Sequence, residues 1–166
     1  MADLVAQRAT ALWGRVLSSP VLTLNGWVAF NLPRTVTALG GALLTGLAAV
    51  HVYVLASRSN LPWYFSAYAL VLAAACLVAA STMVVGIKPA VPQAGWYLGS
   101  AVCLAFLAVY LVTRWVSLPG LATVTARWDF APGTLAMACA AAYIAVHTTV
   151  LSGINVAYPQ RQQWYD

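Results

Sequence analysis

Two histidines, His51 and His147, and three cysteines, Cys76, Cys103 and Cys139, are the side chains of this sequence best suited to ligand, metal or proton chemistry. Acid and base groups are scarce: the only acids are Asp3, Asp129 and Asp166, and there is no glutamate. Two histidines on separate apolar segments raise the possibility of a bis-histidine haem, and histidine among tyrosines that of a quinone contact. Three cysteines near the middle of three segments would form one layer. They include no C-x-x-C pair, and free cysteine packs as a small apolar residue, so the reading is packing. Asp129, two residues from Arg127, reads as a loop ion pair or a helix-start anchor. No G-x-S-x-G, H-E-x-x-H, phosphate loop or dinucleotide fingerprint is present, and the expectation is a chain that is not an enzyme.

What must position these residues is set by composition. The 166 residues are 63% hydrophobic and 7% charged, whereas about a quarter of the residues of a soluble domain carry charge. An all-α integral membrane protein follows, with four transmembrane helices in a bundle over about 35–57, 63–86, 93–113 and 133–154, each near the ~20 residues a bilayer needs. Residues 1–33 form an amphipathic interfacial segment, in which Val5, Ala9, Trp13 and Val16 share one face and Arg8 and Arg15 the other. An arm packed on a partner protein is the alternative for this segment. Residues 34–157 make the membrane domain and 158–166 a polar tail. Lys88, Pro89 and Pro92 separate the second span from the third, and Pro119 and Gly120 mark a turn in the longest connection. Tryptophans cluster at the span ends, Trp96 included, as an aromatic belt.

Four spans bring both termini to one side, with Arg8, Arg15, Arg34, Lys88 and Arg161, against Arg58, Arg114 and Arg127 on the other. The positive-inside rule then places both termini in the cytoplasm, and the Ala/Val/Leu-rich composition suits a bacterial plasma membrane. The net charge of +5 fits loops beside anionic lipid headgroups and shows no dense basic cluster, so lipid and not nucleic acid is expected as a partner.

Helix direction also separates the histidines. His51 lies about six residues before the end of the first span and His147 about seven before the end of the fourth, so they sit near opposite faces. At about 1.5 Å per residue their depths differ by more than about 10 Å, too far for one haem between them. Each is read as a neutral imidazole hydrogen-bonded to a hydroxyl or carbonyl of a neighbouring helix. His51 with Tyr68 and Tyr110 remains a candidate polar layer for quinone, haem or lipid. Packing candidates are the small residues Gly95 and Gly99 in the third span and Ala38, Ala42 and Gly46 in the first, which close the bundle or receive another protein's helix.

The stretch YLVTRWVSLPG followed by RWDFAPGTLAM resembles the connection between the third and fourth helices in small uncharacterised four-helix membrane proteins of actinobacteria. The matching residues are Tyr110, Leu111, Arg114, Leu118, Pro119 and Gly120. The resemblance covers this one connection and carries over no functional residue. With no catalytic or transport constellation, the leading expectation is a non-catalytic accessory or assembly subunit of a larger respiratory or lipid-transport membrane complex, without a cofactor. A small quinone-, haem- or lipid-binding module is the alternative.

Overall fold

The computed structural model describes residues 32–58, 61–85, 88, 90–116 and 130–157. Within them lie four α-helices and no strand: α1 (Pro33–Ser57), α2 (Trp63–Val84), α3 (Ala90–Trp115) and α4 (Ala131–Leu151). Each is long and apolar enough to cross a membrane; even the 21 residues of α4 span about 31 Å at about 1.5 Å per residue. Residues 1–31 of the interfacial segment, the polar tail and Arg127 with Asp129 fall outside the described residues, while Leu32 is the N-cap of α1 and Pro33 its first residue.

Proline and glycine set the helix limits. Pro33 and Pro132 stand at the first turns of α1 and α4, where a missing N–H costs nothing. For the same reason α3 starts at Ala90, three residues before the position expected from Pro92, which is accommodated in the first turn. The fourth helix ends three residues earlier than expected. Gly153 takes a positive φ of 80°, and the Asn155 N–H turns back to donate to the Thr149 carbonyl at 3.0 Å.

Helix α1 packs on α2 and α4, and α3 packs on the same two, so α1 and α3 lie across from each other. Buried positions follow helical spacing. On α3 they are Pro92, Gly95, Trp96, Gly99, Cys103, Phe106, Tyr110 and Arg114. Small residues permit close approach. A Cβ on Gly95 would stand 2.8 Å from the Met83 backbone nitrogen, so α2 and α3 meet there almost backbone to backbone. A Cβ on Gly99 would run into the Tyr143 ring, and one on Gly46 would stand 3.3 Å from Cys139 Sγ. Ala38 and Ala42, by contrast, face outward from α1.

Trp96 departs from the aromatic-belt expectation: it is fully buried. Because α3 begins at Ala90, this residue falls in the second turn on the inward face, and Gly40 opposite leaves the space its ring occupies, with a Cβ there only 2.7 Å from Trp96 Cη2. Trp63 and Trp115 are 82% and 74% exposed at adjoining helix ends, as residues of an aromatic belt should be. Trp13 lies outside the described residues.

Candidate functional site

The two histidines occupy separate layers. His51 meets the Tyr68 ring of α2 at 6.1 Å and the Phe106 ring of α3 at 5.3 Å, both edge-on. His147 contacts Trp96 and Tyr97 at 5.4 and 5.2 Å and is hydrogen-bonded to Ser100. Phe106 and Ser100 are six residues apart on one helix, a rise of about 9 Å. Nothing in this placement lets both rings reach a common axial ligand position.

The His147 layer is closed. Trp96 stacks on Tyr143 at 5.5 Å between ring centroids, with 23° between the planes. The Tyr143 hydroxyl lies 3.2 Å from the Trp96 carbonyl oxygen and 3.5 Å from Met83 Sδ, donating toward both, which ties α2, α3 and α4 together. His147 Nδ1 pairs with Ser100 Oγ at 2.5 Å on the neighbouring helix, while Nε2 is buried without a hydrogen bond. Ser81 and Thr82 of α2 bond to carbonyls of their own helix.

The His51 layer is open. At the end of the molecule where α1 and α3 finish and α2 and α4 begin, a cavity of about 290 Å³ is lined by residues of all four helices. His51, Tyr68 and Tyr110, the three residues singled out from sequence, all line it. Around them stand Tyr64, Phe65, Phe106 and Phe130, which bring the number of aromatic rings to seven. Small residues of α4 form one wall: Gly133, where a Cβ would stand 3.0 Å from Tyr110 Cε2, and the buried Ala136.

Polar groups are few and placed at the rim and the floor. Arg58 holds its guanidinium 5.1 Å from the Phe130 ring centroid, and the buried Arg114 lies 4.2 Å over Tyr110. The Tyr68 hydroxyl is buried and has no hydrogen-bond partner among the described residues. His51 turns Nδ1 back to its own helix, 2.8 Å from the Leu47 carbonyl oxygen, rather than to a neighbouring helix. A mostly apolar cleft with a few fixed polar points is the ordinary form of a small-molecule site.

Sequence reasoning missed Phe65, Phe106, Arg58 and Arg114 as cavity residues. Phe106 lies one helical turn before Tyr110 and shares its face, a spacing that could have identified it. Among the described residues no three His, Cys, Asp or Glu side chains gather in a metal-ligating group. Cys76 and Cys103 are buried and Cys139 is half-buried, all as free thiols. No protein-family model matches this sequence, and comparison with curated proteins and with solved structures finds no match.

Proposed function

We propose that this chain is a multi-pass membrane protein whose four helices form a transmembrane bundle that binds the ring head of an isoprenoid-quinone-type amphiphile. The observation that carries the reading is the convergence of His51, Tyr68 and Tyr110 on one cavity of about 290 Å³ walled by aromatic rings. Flat rings favour a flat ligand through offset and edge contacts, and an apolar tail would leave between helices into lipid. The volume lies at the lower end of the ~300–1,000 Å³ usual for ligand clefts, which suits one ring better than a porphyrin macrocycle. On the positive-inside count, the cavity belongs to the leaflet away from the cytoplasm of a bacterial plasma membrane. Its role is binding rather than catalysis.

The test is chemical analysis of what the protein carries. Protein purified from its own membrane in mild detergent should retain an isoprenoid ring compound near one per chain, and Ala136→Phe, which places a ring in the cavity, should lose it. Retention equal to that of an unrelated membrane protein of similar size would rule the reading out.

A second reading, an accessory subunit of a larger membrane complex, is favoured by the outward face of α1. Ala38, Ala42, Thr45 and Ala49 are exposed there at helical spacing, a surface that another helix can approach closely. On that reading Ala42→Phe should release a co-purifying chain, and protein that migrates alone in mild detergent would count decisively against it.

A further inference from the structure

His51 commits one ring nitrogen to its own helix, and its ring lines the cavity. Nδ1 lies 2.8 Å from the Leu47 carbonyl oxygen. A carbonyl only accepts, so Nδ1 carries the proton, and in the neutral imidazole Nε2 is then an acceptor. Among the described residues Nε2 has no hydrogen bond, and the ring lines the cavity. Edge contacts from Tyr68 and Phe106 hold the ring plane, which opposes the flip that would exchange the two nitrogens.

The donor and acceptor pattern of the cavity follows from these assignments. At His51 the cavity offers an acceptor; the guanidinium groups of Arg58 and Arg114, which also line it, offer only donors. The hydroxyls of Tyr64, Tyr68 and Tyr110, which also line the cavity, can each play either part and so do not discriminate between the two ring forms. A ring bearing carbonyl oxygens brings acceptors alone. Facing Nε2 it would set lone pair against lone pair and leave two acceptors unpaired in an apolar site. A ring bearing hydroxyl groups donates to Nε2 at one end and accepts from a guanidinium at the other.

Resting on the binding reading above, we infer that the cavity selects the hydroxyl-bearing, reduced form of the ring, a hydroquinone or phenol head, over the oxidised quinone. The preference comes from the tautomer imposed by Leu47 and needs no electron transfer in the protein.

The experiment uses the full chain in lipid nanodiscs, titrated without oxygen by calorimetry. Three probes share one short isoprenoid tail: the quinone, its quinol and the quinol dimethyl ether. The quinol should bind about tenfold or more tightly than either of the others, since both lack a donor. His51→Leu should abolish the preference, so that quinol and quinone bind with the same affinity. The three-probe comparison on the unsubstituted chain stands whether or not that variant folds. Quinone or dimethyl ether binding as tightly as the quinol overturns the donor preference and leaves the binding reading intact. No binding of any probe above that of empty nanodiscs overturns both.

Discussion

His51 and His147 are both buried, at 6% and 3% exposure, on helices that touch, yet their surroundings differ in one respect that decides what each can do. Around His147 a tryptophan and a tyrosine stack flat and fill the interior, with Gly40 and Gly99 clearing the space they need. Around His51 the rings stand edge-on, and the residues facing them from α4 are Gly133 and Ala136. One histidine is a packing and hydrogen-bonding group; the other looks into a cavity. Histidine identity is the same in both, so the difference lies in the size of the side chains opposite.

That contrast can be broken from the packed end first. Trp96→Ala removes the largest fully buried side chain among the described residues and should cost about 3–5 kcal/mol, read as an earlier unfolding midpoint by circular dichroism in mixed micelles. A cost below about 1 kcal/mol would mean that the His147 layer is not the packed one. Gly99→Ala should cost about 1–3 kcal/mol by overpacking in the same assay, because its Cβ meets the Tyr143 ring.

At the open end the sign changes. Ala136→Phe should leave stability level or raise it by about 0.5–2 kcal/mol by occupying the cavity, while ligand retention disappears. A large loss of stability would show that the space is already filled. The smallest loss of stability is expected from Ser100→Ala, which removes the His147 partner and should cost about 0.6 kcal/mol, the average for interhelical side-chain hydrogen bonds in membranes. Retention of ligand should be unchanged in that variant, since His147 and Ser100 do not line the cavity.

Much of the site was legible because depth can be counted. Alternating helix directions and a fixed rise per residue put His51 level with Tyr68 and away from His147 before any contact was known. Trp96 was not legible as a core residue. Its position near the start of a span fits the interfacial preference of tryptophan, and only the helix start at Ala90 and the gap at Gly40 turn it inward. The cavity was not legible either, because it arises where side chains from four helices fail to fill a shared volume.

What the sequence determined by itself was the number of membrane-length helices among the described residues, their approximate limits and which residues share a level, since apolar run length and helical rise are local properties of the chain. Tertiary structure alone decided which glycines touch which rings, that His51 bonds within its own helix, and that one end is packed while the other encloses space. Those outcomes depend on how side chains from different helices sum to fill or leave a volume, which no single helix encodes.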